Sequence, residues 1–193
     1  GSAANSYANL KQFLLENSSG TISFPAMTTK YIRCATSGGT ARATGDLTLT
    51  VDLRVDNGAT FNSNGQVMNM AEVDVNGGTL NITDSTFRFT TAGMEWNMTA
   101  GSTLTAQNST CTGYSAANPT LMKLPDTGED ESTSDFQIIG NIKNFKAMGD
   151  TDITVLGTVT DCVVDGSEAN IYQWHHTLDT AQLLDADAES DDD

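Results

Sequence analysis

Basic residues are scarce in this chain. Nine lysines and arginines stand against 25 aspartates and glutamates over 193 residues, for a formal net charge of −16. Phosphate contacts need Lys and Arg, so no nucleic-acid partner is expected. The same charge disfavours anionic membranes. No run of about 18 apolar residues occurs, so no membrane insertion is expected either. Cysteine is also sparse. Cys34, Cys111 and Cys162 lie far apart, with no CxxC and no zinc spacing. Cys111 and Cys162 fall at inward positions of repeats, so buried free thiols are expected rather than disulfides. Hydrophobic residues make up only 38% of the chain, low for a compact globule. A fold that needs few inward side chains per segment tolerates such a composition.

What is present is a repeated phrase. Gly77-Gly78-Thr79-Leu80-Asn81-Ile82-Thr83-Asp84-Ser85-Thr86-Phe87 returns as Gly101-Ser102-Thr103-Leu104-Thr105-Ala106-Gln107-Asn108-Ser109-Thr110-Cys111, at an offset of 24. Gly, Thr, Leu, Ser and Thr recur in register, and Asn108 replaces Asp84. Apolar residues match as Leu80/Leu104, Ile82/Ala106 and Phe87/Cys111, and these six are the expected core stack. A looser copy, Gly58-Ala59-Thr60-Phe61, precedes the Gly77 phrase at an offset of 19. Leu47, Leu49, Val51, Leu53 and Val55 alternate with Thr48, Thr50, Asp52 and Arg54, the period of a strand with one buried face. A further pair, 135–145 and 152–162, repeats at an offset of 17. Short alternating strands repeated at such spacing are the mark of a solenoid. Unequal turns of 19 and 24 predict a parallel β-helix whose turns vary through their loops.

Around this body three divisions are expected. Residues 1–20 hold a capping helix over 5–16, with Tyr7, Leu10, Phe13 and Leu14 on one face and Asn5 or Ser6 as N-cap. Laid over the first turn, it hides an open sheet edge. Residues 21–168 form the solenoid, interrupted by a polar loop at about 114–134. Residues 169–193 close the far end with a strand and a short helical turn, then run into an acidic tail. Tyr172, Trp174 and His175 are candidate interface residues, because Tyr and Trp favour contacts. Folding back over their own core is the open alternative.

Candidate chemistry is thin. Leu124-Pro125-Asp126-Thr127-Gly128 matches the five-residue sortase pattern, but acids and more solenoid follow, so it reads as a loop. His175-His176 alone supply too few ligands for a metal site, and neither metal nor cofactor is expected. Asp84, Asp161 and Asp165 are possible carboxylates of a polysaccharide-cleaving enzyme, yet the exchange of Asp84 for Asn108 marks a turn residue. Thr-x-Thr pairs at Thr48/Thr50, Thr103/Thr105, Thr110/Thr112 and Thr158/Thr160 look like an ice-binding ladder, but other turns interrupt it.

The glycine-punctuated turns from Asp46 to Val164 resemble the right-handed parallel β-helix superfamily of tailspikes, pectate-lyase-like proteins and surface adhesins. The resemblance implies an all-β, right-handed parallel solenoid. It places no catalytic residue, so no enzyme is expected. It implies a structural or receptor-binding protein of a virus particle, in a tail, spike or capsid decoration. An extracellular adhesin or S-layer-type module is second, and a polysaccharide-degrading enzyme third. The chain opens Gly1-Ser2 with no signal-peptide pattern, which favours a virion over a secreted location. Expected partners are copies of itself, a trimer foremost, other virion or surface proteins, and a cell-surface glycan.

Overall fold

The computed structural model describes residues 5–6, 12–16, 18–124, 136–165 and 169–174. They form a parallel β-solenoid of about seven turns, and no helix occurs among them. Each turn crosses three walls. The first wall stacks Thr21–Phe24, Thr40–Ala43, Thr60–Asn62, Thr79–Thr83, the first half of Thr103–Thr112, the first half of Phe136–Lys143, Asp152–Leu156 and Asn170–Trp174. The second wall includes the starts of Met27–Cys34 and Leu47–Asp56, then Val67–Met70 and Thr86–Phe89. The third takes the later parts of those two long strands, then Glu72–Asn76, Glu95–Met98, Thr120–Lys123, Phe145–Met148 and Val163–Asp165.

Turn length varies while the stacking does not. Along the first wall Thr21, Thr40, Thr60, Thr79 and Thr103 lie one above another, although the last step is longer than the three before it. The next step on this wall, Ala106 to Ile138, is its longest, and the one after, Ile138 to Val155, is its shortest. Leu80 stands in register with Leu104, Ile82 with Ala106 and Phe87 with Cys111. Five of these six are buried, and Leu104 is partly buried against the core. Each fully buried Leu or Phe contributes roughly 1.5–3 kcal/mol.

The corners explain the Asn, Asp and Ser content. Asn64, Asp84 and Asn108 all take left-handed φ values, of 52°, 50° and 52°, at the corner between the first and second walls. Asn and Asp tolerate this conformation better than other side chains. Asp84 is thus a turn residue, and Asn108 Nδ2 donates to its Oδ1 at 3.3 Å. Beneath the corner a buried serine ladder satisfies the bent backbone. Ser63 and Ser85 share a hydroxyl bond of 2.7 Å, and Ser109 Oγ donates to the Ile82 carbonyl at 3.1 Å.

The longest excursion is bridged by aromatic packing. Trp96 stacks near Phe87 at 6.0 Å and meets Phe136 and Phe145 edge-on at 5.4 and 6.2 Å. Residues before and after the long step from Ala106 to Ile138 are thereby locked into one cluster.

Three expectations change. The capping helix over 5–16 is not supported, because the residues described there include the strands Asn5–Ser6 and Phe13–Leu15, while 7–11 lie outside the described residues. Phe13 and Leu15 alternate over Ile32 and Cys34, extending the third wall, and Leu14 points out, 46% exposed. Tyr7 and Leu10 lie outside the described residues. The segment 114–134 is not all loop: Thr120–Lys123 is a strand held between Glu95–Met98 and Phe145–Met148. At the far end the wall continues past residue 168, since Asn170–Trp174 pairs with Asp152–Leu156. There Gln173 occupies the column above Val155, and its amide donates to the Gly157 carbonyl at 2.9 Å.

Corner backbones pack too closely for side chains at some positions. A Cβ on Gly157, φ +157°, would lie 1.6 Å from the Gly140 carbonyl oxygen, whereas one on Gly77, φ +69°, would meet nothing within 4 Å. Gly77→Ala should therefore cost about 1 kcal/mol through backbone strain alone. Gly157→Ala should cost about 3 kcal/mol or more, chiefly through the clash. Urea midpoints of the two variants check this, and equal losses would contradict the close-packed corner.

Candidate functional site

The densest charge on the described surface lies on the third wall. Its strands read Asp52-Leu53-Arg54-Val55-Asp56, Glu72-Val73-Asp74-Val75-Asn76 and Glu95-Trp96-Asn97-Met98. Leu53, Val73 and Trp96 stack inward, as do Val55, Val75 and Met98. Period two then turns the intervening polar residues outward. One outer column runs Tyr31, Asp52, Glu72, and the next runs Arg33, Arg54, Asp74, Asn97, Lys123. Glu95 follows Glu72 as the next acid in line, since Trp96 pairs with Val73.

The cations are unevenly shared. Arg33 Nε and Arg54 Nε both reach Asp56, at 2.7 and 2.9 Å, and Asn76 Nδ2 adds a third bond at 3.1 Å. The Asp56 side chain is only 4% exposed. Burial alone would raise its pKa, but the bonds from Arg54, Arg33 and Asn76 outweigh that and hold it below the usual carboxylate range. Lys123 Nζ pairs with Glu95 at 2.5 Å. Asp74 accepts from Asn97 Nδ2 at 2.9 Å. Asp52 and Glu72 have no ion pair among the described residues, and Asp52 Oδ1 is buried without a hydrogen-bond partner. Burial first, then the charges of Asp74 and Glu72, push the Asp52 carboxyl up to about 7. Glu72 is raised as well, by burial and then by Asp74 and Glu95.

A carboxyl raised toward neutrality beside a second carboxyl is the composition of an acid–base pair. Here it sits on a solenoid whose other polar groups bond rung to rung. Asn69 donates to Thr48 at 3.2 Å, Asn81 to Asn62 at 2.7 Å, and Asn170 to Asp152 at 3.0 Å. No group of three or more His, Cys, Asp or Glu that could hold a metal ion occurs among the described residues.

A second surface feature lies on the first wall. Its outer column begins with Thr83 and Gln107, then turns apolar through Ile139, Leu156 and Trp174 on three successive turns. Ile139 is 42% exposed and Leu156 39%. Tyr172 occupies the adjacent outer column above Thr154. Tyr172 and Trp174 thus lie on the outer side of the wall and are half-buried. His175 and His176 lie outside the described residues.

The three aspartates singled out from the sequence are dispersed. Asp84 turns the corner between the first and second walls, and Asp161, φ +52°, turns the one between the second and third, 3.7 Å from Lys143. Asp165 pairs with Lys146 at the end of the third wall. The Thr-x-Thr pairs divide between two walls, and Asn141 and Lys143 stand between Thr110/Thr112 and the strand of Thr160. The actual threonine column, Thr21 to Thr103, is a single file. Leu124 of the sortase-like pattern is buried, and residues 125–128 lie outside the described residues. All three cysteines are free, and burial pushes the Cys34 and Cys111 thiols up to about 12, with Asp56 adding to the effect at Cys34.

Sequence reasoning missed the third-wall acids. Their signal was available as acid–apolar–polar–apolar tetrads beginning at Asp52, Glu72 and Glu95. Compared with family models, with curated proteins and with solved structures, the chain finds no match.

Asp56→Asn should destabilise the protein by about 1–2 kcal/mol, a figure discounted because both arginines are partly exposed. Because folding lowers the Asp56 pKa, its contribution is present above about pH 4 and fades as pH falls below that. Urea unfolding of wild type and variant should therefore differ at neutral pH and converge in acid. A constant gap across pH would refute the assignment.

Proposed function

We propose that this chain is a non-enzymatic structural or receptor-binding β-helix of a virus particle, assembled side by side with copies of itself. The observation that carries the reading is the apolar column of exposed Ile139 and Leu156 and half-buried Trp174, in register on three successive turns of the first wall. A chain of net charge −16 repels its copies, so lateral contact needs an uncharged strip, with acids kept away from it. This strip is uncharged over three turns, and the Asp52–Glu95 acids occupy a different wall. Winding in the right-handed sense is what strand twist favours for parallel crossovers. A trimer is the preferred state, because three copies can each offer one wall to a common axis. An adhesin or S-layer-type module on a cell surface would use the same strip and is the alternative. A glycan is the candidate receptor ligand in either setting.

The third-wall carboxylates favour one further reading, a polysaccharide-degrading enzyme. Asp52 and Glu72 stand in register on adjacent rungs, which sets two carboxyl side chains next to each other as glycoside hydrolysis requires. Hydrolysis assays on neutral and acidic polysaccharides separate the readings, since turnover abolished by Glu72→Gln would establish the enzyme.

Light scattering tests the assembly. Wild type at tens of micromolar in physiological salt should show about three times the 20.4 kDa chain mass. Leu156→Ser and Trp174→Ala should each shift the mass toward that of one chain while far-UV circular dichroism stays unchanged. A wild-type monomer under these conditions would overturn the proposal.

A further inference from the structure

The third wall brings acids together faster than it supplies cations. Asp52 is the most enclosed of the acids left without a cation. On the preceding turn it faces Tyr31 in register, with Arg33 two residues on and Lys30 exposed in the bulge between Thr29 and Tyr31. On the following turn it faces Glu72 in register, with Asp74 two residues on. Its own strand adds Arg54 and Asp56. The arginines on both strands are drawn to Asp56, and the next cation along the wall, Lys123, is taken by Glu95. Asp52, Glu72 and Asp74 therefore make no ion pair among the described residues, the charge of Arg54 beside them offsets only part of the rise at Asp52, and one Asp52 oxygen is buried with nothing to bond. Three carboxylates on adjacent rungs cannot all ionise cheaply.

We propose that Asp52, buried at one oxygen and stacked against Glu72 and Asp74, is a proton-holding site that makes the solenoid pH-sensitive, tightening these turns on acidification and loosening them as its proton leaves. The sign follows from linkage. The Asp52 carboxyl lies at about 7 in the folded chain, against about 4 when unfolded. The folded state therefore binds more protons between these values, and stability falls as pH rises through that window. The direction is opposite to that at Asp56, where bonded cations favour the ionised form. The two carboxyls stand on one strand and titrate in opposite senses, because the cations are bound to one and not the other. The charges of Asp74 and Glu72 help to raise the Asp52 carboxyl, so altering a neighbour must move its titration.

Carbon-detected NMR of side-chain carboxyls in the full-length wild-type protein reads the site directly. One carboxyl resonance, absent from Asp52→Asn, should titrate with a midpoint within about one unit of 7, and Asp74→Asn should lower that midpoint by about half a unit or more. In urea unfolding, the wild-type unfolding constant should rise at least about threefold relative to that of Asp52→Asn between about pH 5.5 and 8. The comparison cancels the two histidines, which titrate in the same range in both proteins. If Asp52→Asn does not fold, the wild-type and Asp74→Asn titrations decide. A wild-type protein in which every carboxyl has ionised by about pH 5 overturns the proposal, as do parallel stability profiles for wild type and Asp52→Asn.

Discussion

Everything in this molecule depends on in-register stacking of parallel strands. Each rung lies about 4.8 Å above the last, and each residue meets its counterpart from the turn before. Inward, the constraint is steric: Ala41, Phe61 and Leu80 share one column, so their volumes must fit one cross-section. Outward, it is electrostatic and hydrogen-bonding. Like residues stacked in a column either bond to each other, as Asn62 and Asn81 do, or repel, as Asp52 and Glu72 do. The wall surfaces carry the record of how each column met that condition.

The corners allow the walls to be straight. A turn that bends sharply between each wall and the next needs backbone conformations that most side chains resist. The left-handed Asn and Asp residues and the glycines supply them. Buried serine hydroxyls then bond to one another and to carbonyls beside the bend. The abundance of Asn, Asp, Ser and Gly is thus a cost of the corners rather than a sign of solvent-loving loops. The uneven turn lengths show where the constraint relaxes: the largest additions fall between walls, where no column has to be kept in step.

Much of the solenoid was legible in the sequence because its repeat unit contains both a corner and a strand. The Gly-x-Thr-apolar phrase aligned Thr60, Thr79 and Thr103 at the offsets that the strands adopt. Other parts were hidden for physical reasons. Phe13-Leu14-Leu15 is an unbroken apolar run, and periodicity cannot separate helix from strand there. Only stacking on Ile32 and Cys34 settles it. Thr120–Lys123 has polar, proline-bearing sequence on both sides, and the chain travels further to it from the preceding rung than the earlier turns would suggest. The acid patch was missed because a full turn of chain separates one member strand from the next, and they become neighbours only when the register is known. The apolar column on the first wall was half visible. Trp174 and Tyr172 stood out by residue type, but Ile139 and Leu156 read as ordinary strand residues until the stack set them beneath.

The aromatic cluster around Trp96 has a consequence for how the turns hold together. In a solenoid each turn touches only its neighbours, so cooperativity is passed along a line, and terminal turns fray first. The step from Ala106 to Ile138 is the weakest link in that line, since its closure costs the most chain entropy. Trp96, Phe87, Phe136 and Phe145 bridge this step with ring contacts drawn from both sides. The long excursion therefore does not divide the protein into two independently melting segments. Its two halves share one packed aromatic cluster, which couples the turns on either side of the step.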